Sequence, residues 1–240
     1  MTFAGMGILL DIEGTTSALD YVHKTMFPYA RREVEAFLAR NWDREDVAAA
    51  CEQIARDAGA EGLAAWVPRA RVPGRRKAVV VEVYRLMDAD AKATGLKQLQ
   101  GLIWQEGYAA GALQSHVYPD VPPALERWAK RGLDVRIYSS GSVTAQKVFF
   151  AHTEAGDLTR FLRGHYDTTT GPKRDAASYR AIAAAFGFPA GEVLFLSDVV
   201  AELDAARAAG MATGLTLRPG NAPVEPGHGH PEIATFAVVA

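Results

Sequence analysis

Apolar and polar positions change rhythm along the chain. Near the N-terminus Ile8, Leu9 and Leu10 run together without polar alternation and lead into Asp11, Glu13 and Gly14. An unbroken apolar run this short predicts a strand covered on both faces, as in a parallel sheet, with its acids delivered at the carboxyl end. That edge is where open α/β sheets bind ligands.

After Thr16 the spacing becomes helical. Phe27-Pro28 starts a helix on which Ala30, Val34, Phe37 and Leu38 share a face. Asp43 is expected to cap a helix over 44–58, with Gly59 as its stop. Trp66, Pro68 and Pro73-Gly74 mark a loop. Val79, Val80, Val83, Leu86 and Met87 predict a third helix, and Leu96, Leu99, Leu102 and Ile103 a fourth. The block reads as a helical insert.

From Tyr118 onward strands and helices alternate. Pro122 or Pro123 opens a helix ending near Gly132, and Val135 to Tyr138 form a strand. Ser139-Ser140-Gly141-Ser142 turns into a helix over 143–150, whose N-terminal amides and neighbouring hydroxyls are expected to make an anion site. A short helix is expected over 156–163 and a short strand over 164–167. Lys173 precedes a helix over 176–186. Val193 to Leu196 form a second fully apolar strand, delivering Ser197, Asp198 and then Glu202. A helix through Ala209, a strand over 211–217, a Gly- and Pro-rich loop over 218–231 and an edge strand over 236–239 complete the pattern. The alternation predicts a Rossmann-like parallel sheet with helices on both faces.

The 240 residues, 49% hydrophobic and 22% charged, suit one large domain or a core with an insert. A net charge of -2 gives no global attraction to nucleic acid or anionic membrane, so an anionic ligand must be held locally. The single cysteine, Cys51, excludes an internal disulfide and reads as a buried structural thiol in a reducing compartment. No apolar run approaches the ~18 residues that span a bilayer, and no basic leader precedes the first run. A cytoplasmic monomer is expected. Arg69, Arg71, Arg75, Arg76 and Lys77 lack interleaved aromatics and read as a solvated loop and helix start. His228 and His230 lie in the tail and are not expected to bind metal. Tyr21, Phe27, Trp66 and Trp104 are expected in helix cores rather than in a pocket.

Asp11 and Glu13, two apart, share one face if the strand continues, and such a pair needs a cation or a shared proton. Four separated elements carry polar groups: Asp11 with Glu13, Ser139 with Ser140, Lys173, and Asp198 with Glu202. Their order resembles the four motifs of the haloacid dehalogenase-like phosphohydrolases. The match is closer to the acireductone synthases, the enolase-phosphatase family of methionine salvage. It rests on Asp11-Ile12-Glu13-Gly14-Thr15-Thr16, Phe27-Pro28-Tyr29, Leu96-Lys97-Gln98-Leu99-Gln100-Gly101, Tyr138-Ser139-Ser140-Gly141-Ser142-Val143, Gly164-His165-Tyr166-Asp167-Thr168, Leu194-Phe195-Leu196-Ser197-Asp198-Val199 and Arg218-Pro219-Gly220-Asn221. It runs from about Ile8 to Asn221.

The resemblance implies a core of the haloacid dehalogenase type over 1–17 and 116–240, and a helical cap domain over 18–115 that closes on the substrate. It implies one Mg²⁺ per chain held by Asp11, Asp198 and Glu13, the last through its carbonyl. Asp11 becomes the nucleophile, Ser139, Ser140 and Lys173 hold the phosphoryl group, and Glu202 supports Lys173 or a water. Glu13 stands where the superfamily's phosphatases usually carry a second Asp, which agrees with the enolase-phosphatase pattern and makes it the leading acid/base. The implied substrate is a phosphorylated diketone, 5-(methylthio)-2,3-dioxopentyl 1-phosphate. A capped phosphatase for another small phosphomonoester is the alternative. A phospho-receiver module is disfavoured by the motif order, and a binding protein without catalysis by the presence of every chemical element.

Overall fold

The computed structural model describes residues 3–68 and 71–239. In chain order the principal elements are β1 (Gly7–Leu10), α1 (Phe27–Asn41), α2 (Glu45–Asp57), α3 (Val72–Asp88), α4 (Thr94–Ala109), α5 (Val121–Lys130), β2 (Asp134–Tyr138), α6 (Val143–Ala151), β3 (Gly164–Tyr166), α7 (Ala176–Phe186), β4 (Val193–Ser197), α8 (Val200–Ala208), β5 (Ala212–Thr216) and β6 (Glu232–Ile233). The chain divides into two compact units, Met1–Val22 with Gln114–Ala240, and His23–Leu113.

The first unit is built on a six-stranded parallel sheet of order β3-β2-β1-β4-β5-β6. β1 is central, and all four of its residues are buried, as its unbroken apolar run requires. Leu9, Tyr138, Val193 and Phe195 turn to one side, where they meet Tyr179, Ile182 and Phe186 of α7 and Leu203 and Ala206 of α8. α5 packs on β2 through an apolar face that includes Leu125 and Trp128. Strand order reverses between β1 and β4, so the residues leaving those two strands flank the crevice at the carboxyl edge.

The second unit is helical. Val34, Phe37 and Leu38 of α1, Ala50, Cys51 and Ile54 of α2, Val79 and Val83 of α3, and Leu99 and Ile103 of α4 form its core. Gly95 lets α4 approach α2 closely: a Cβ there would sit 2.5 Å from the Ile54 amide nitrogen. Trp66 and Trp104 are half-buried against this core, and the Trp104 indole donates to the Met26 carbonyl at 2.8 Å. Burial pushes the Cys51 thiol up to about 12, with the Glu52 charge adding to the shift.

Several local expectations are corrected. The α2 cap position is Arg44, not Asp43; Asp46 serves the helix start instead, accepting from the Val47 amide at 2.9 Å. Pro73-Gly74 lies within the first turn of α3, where a missing proline N–H costs nothing. Of that basic stretch, Arg69 lies outside the described residues; Arg71 and Lys77 are exposed and Arg75 and Arg76 half-buried. The helix expected over 156–163 shrinks to a single 3₁₀ turn, Thr159–Phe161. Residues 236–239 are no strand: Phe236–Val238 is a 3₁₀ turn capped by Thr235. Its carbonyls are taken by side chains, Arg127 Nη2 donating to Phe236 O at 2.7 Å and Trp128 Nε1 to Val239 O at 3.1 Å. The edge of the sheet is β6 instead. His230 is buried, its ring between Thr213 Oγ1 and Asp204. Among the described residues, no helix is long and apolar enough to cross a membrane.

Candidate active site

β1 ends at Leu10, and the backbone continues the ladder for one more residue, Asp11 N–H donating to Leu196 O at 3.0 Å. The chain then folds on itself. The amides of Thr15, Thr16 and Ser17 all donate to Ile12 O, and Gly14 N–H donates to Ser17 O. Gly14 takes φ +68°, and a Cβ on it would overlap the Asp198 carboxyl group. Only glycine allows this loop to run so close to the end of β4.

One carboxylate oxygen of Asp11 accepts from the Ile12 amide at 2.8 Å. The other, Oδ2, lies 2.7 Å from Lys173 Nζ, and the same ammonium lies 2.7 Å from Glu202 Oε2. The three side chains are nearly enclosed. Burial alone favours the neutral amine on Lys173, but the two flanking carboxylates outweigh it and hold the ammonium well above its ordinary value. Burial and the Asp11 charge raise Glu202, against the pull of Lys173. Ser197 Oγ lies 3.2 Å from Glu202 Oε2 and 3.4 Å from Asp11 Oδ2, so its one proton serves one of them at a time.

Lys173 is not carried by a strand; its loop is fixed by hydroxyl groups. Tyr138, Ser178 and Tyr179 donate to the successive carbonyls of Gly171, Pro172 and Lys173 at 2.8, 2.8 and 2.7 Å. Glu202 comes from the first turn of α8, Ser197 from the last residue of β4.

Asp198 follows β4. Burial, then the charges of Asp11 and Glu13, push its carboxyl up to about 6. Four acids and one ammonium thus share the neighbourhood, a surplus of negative charge that suits a cation. Among the described residues no group of three or more His, Cys, Asp or Glu side chains is gathered at metal-binding distance. Two carboxylates with water completing the shell is how magnesium is commonly held, and Asp11 with Asp198 fits that donor set.

Ser139 and Ser140 leave β2 at the same edge. The register pairs Leu10 with Ile137, so the segment after Tyr138 runs beside the one after Leu10. Ser139 is buried and its Oγ accepts from the Gly141 amide at 3.2 Å, while Ser140 is exposed. The amides of α6 are less available than expected. Val143 N–H donates to Asp167 Oδ2 at 3.0 Å and Ala145 N–H to Ser142 Oγ at 3.2 Å. Two of the amides at the start of α6 are thus already taken within the protein. Gln146 braces that turn, donating to Gly141 O and Tyr166 O at 2.8 Å each.

Sequence reasoning missed the support given to the 11–17 loop by the last residue of β5 and by residues after it. Thr216 Oγ1 and Asn221 Nδ2 both donate to Gly14 O, at 3.2 and 2.9 Å, and Arg218 Nε donates to Thr15 O at 3.0 Å. Arg218 is itself buried, sandwiched 4.5 Å from the rings of Tyr118 and Phe236 and paired with Asp120 at 2.9 Å. A charged residue just after an apolar strand was the available signal.

The chain belongs to the haloacid dehalogenase-like hydrolases, whose family model matches residues 6–210. Its relatives carry a more particular name. Enolase-phosphatase E1 of Synechococcus elongatus is 49% identical over 224 residues, covering 92% of each chain. Enolase-phosphatase E1 of Pseudomonas aeruginosa is 47% identical over 231 residues, covering 96% of each. Among solved structures, the UTR4 protein of Saccharomyces cerevisiae superposes with a TM-score of 0.78 at 34% identity, over 98% of this chain and 100% of that one.

Proposed function

We propose that this chain is an enolase-phosphatase that converts 5-(methylthio)-2,3-dioxopentyl 1-phosphate to 1,2-dihydroxy-5-(methylthio)pent-1-en-3-one and phosphate, a step of methionine salvage. The full-length likeness to enolase-phosphatases supports the substrate. The observation that carries the chemistry is the ammonium of Lys173 held between Asp11 and Glu202 at the carboxyl edge of the sheet. The helical unit, His23–Leu113, is assigned the part of the cap on the strength of the same likeness.

Enolisation moves a proton from the carbon bearing the phosphate to a base; the C–H electron pair becomes the carbon–carbon double bond, and the adjacent carbonyl oxygen takes the charge and then a proton from solvent. Glu13 is assigned as the base, because it follows the nucleophile Asp11 by two residues in the loop that leaves β1. Asp11 then attacks phosphorus: an Asp11 oxygen–phosphorus bond forms, the bond to the substrate oxygen breaks, and Glu13 returns the proton to the leaving oxygen. Water, deprotonated by Glu13, displaces Asp11 and releases phosphate. Lys173 has two tasks. It fixes the orientation of Asp11 through Oδ2, and with Ser139 and Ser140 it offers donors to the phosphoryl oxygens as charge builds on them. Glu202 and Ser197 keep Lys173 charged and in place. Phosphatases of this family generally depend on magnesium; one Mg²⁺ would be held by Asp11, Asp198 and the Glu13 carbonyl and would supply charge neutralisation for the phosphate.

The test follows ultraviolet absorbance of the enediol together with phosphate release, with Mg²⁺ present, on the diketone phosphate and on an unrelated sugar phosphate. Absorbance and phosphate from the diketone alone are expected. Phosphate from both substrates with no enediol overturns the proposal in favour of a simple phosphomonoesterase.

A further inference from the structure

Asn221 presents a buried acceptor with nothing to accept from. Its Nδ2 donates to two backbone carbonyls, Gly14 O at 2.9 Å and Thr216 O at 3.1 Å. Carbonyls accept only, so the amide is fixed with nitrogen on that side and Oδ1 on the other. Oδ1 is enclosed and has no hydrogen-bond partner among the described residues. Leaving such an oxygen dry is unfavourable, so its position calls for a donor that the described residues do not provide.

Its surroundings indicate which donor. A Cβ on Gly14 would sit 3.0 Å from Asn221 Oδ1 and closer still to Asp198 Oδ2, so both oxygens face the same small volume over Gly14. Carboxylate oxygens cannot supply a hydrogen bond, so the Asp198 carboxylate does not serve as the donor. Hydration water on a cation fits: it is a strong donor, and magnesium keeps several waters in its shell.

We infer that Asn221 is a positioning residue for the metal, its Oδ1 accepting a hydrogen bond from hydration water of the divalent cation held by Asp11 and Asp198. The inference rests on the magnesium reading above. It gives the segment after β5 a part in the site: one face of the Asn221 amide anchors the Gly14 turn, and the other orders the cation's water. Partners of this outer kind typically contribute 10- to 100-fold to metal affinity.

The experiment titrates Mg²⁺ calorimetrically into the substrate-free wild-type protein and the variants Asn221→Ala, Asn221→Asp and Thr216→Val. Thr216→Val removes the other side-chain donor to Gly14 O while leaving Asn221 Oδ1 in place, so it reports on the loop anchor alone. About tenfold weaker Mg²⁺ binding is expected for Asn221→Ala, and binding within twofold of wild type for Thr216→Val. Asn221→Asp keeps an acceptor and adds a charge but gives up the donor to Gly14 O and Thr216 O, so it is expected to bind more tightly than Asn221→Ala, and equal loss in the two overturns the inference. If the alanine variant does not fold, the Asn221 side-chain amide signals of the wild-type protein decide the matter by NMR: they are expected to shift as Mg²⁺ saturates the site, and no shift contradicts the assignment. Unchanged affinity in Asn221→Ala, or equal loss in Thr216→Val, overturns the inference while leaving the magnesium reading intact. A wild-type protein that binds no Mg²⁺ at millimolar concentration overturns both.

Discussion

Lys173 Nζ stands 2.7 Å from Asp11 Oδ2, a contact between a loop lysine and a strand-end acid far apart in the chain. With Glu202 at the same distance on the other side, one ammonium offsets two enclosed carboxylates. Lys173→Met therefore leaves like charges facing one another without a counter-ion. A loss of ~10²–10³-fold in kcat is expected from the missing donor, and about 3 kcal/mol of stability from the broken pair. Steady-state kinetics with urea unfolding check both. Wild-type turnover in a folded Lys173→Met protein would remove the lysine from the mechanism.

Gly14→Ala places a side chain where φ is +68° and against the Asp198 carboxyl group. The backbone strain costs about 1 kcal/mol. The larger effect is on Asp198, which has to shift; kcat/KM is expected to fall about 100-fold, the cost of a displacement near 1 Å at a reacting centre. Comparing the thermal midpoint with kcat/KM separates the two effects.

Glu13→Gln keeps the shape of the side chain and removes its basicity. The enolisation rate, followed by enediol absorbance before phosphate appears, is expected to fall by ~10²–10⁴. Enolisation at the wild-type rate assigns the base to another group.

Two groups outside the site set opposite ends of the acid limb of stability. Burial raises Asp120, but Arg218 and the Phe236 amide outweigh it and hold the carboxyl below its ordinary value. Its contribution is complete above the unfolded value of about 3.9 and is lost as pH falls through the lower folded value. Burial, aided by the Lys147 charge, lowers His165 to about 4. The unfolded chain takes up that proton near pH 6.5 and the folded one does not, so this stability is complete above about 6.5 and lost toward pH 4. Thermal midpoints against pH are expected to flatten between about 6.5 and 4 in His165→Gln, and only below about 4 in Asp120→Asn.

The two central strands and the site edge were legible because burial on both faces leaves an unmistakable run: Ile8 to Leu10 and Val193 to Leu196 are all fully buried. Helix α7 was legible to the residue, with Asp175 capping it and Gly187 in the left-handed conformation ending it. Residues 236–239 were not, because an apolar tail shows no sign that Arg127 and Trp128 consume its carbonyls. The same limit hid Arg218 and Asn221. Their partners, Thr15 and Gly14, are distant in sequence and meet them only once β5 pairs with β4 and β4 with β1.

The account depends above all on Asp11 acting as a nucleophile, so that phosphorus is displaced twice. The stereochemical course reads this directly, measured with a phosphorothioate analogue of the diketone phosphate that is chiral at phosphorus through two oxygen isotopes and is hydrolysed in water carrying the third, so that the thiophosphate released is itself chiral. Net retention is the result predicted, since two inversions cancel; net inversion would mean that water attacks the substrate in one step and would contradict the assignment of Asp11.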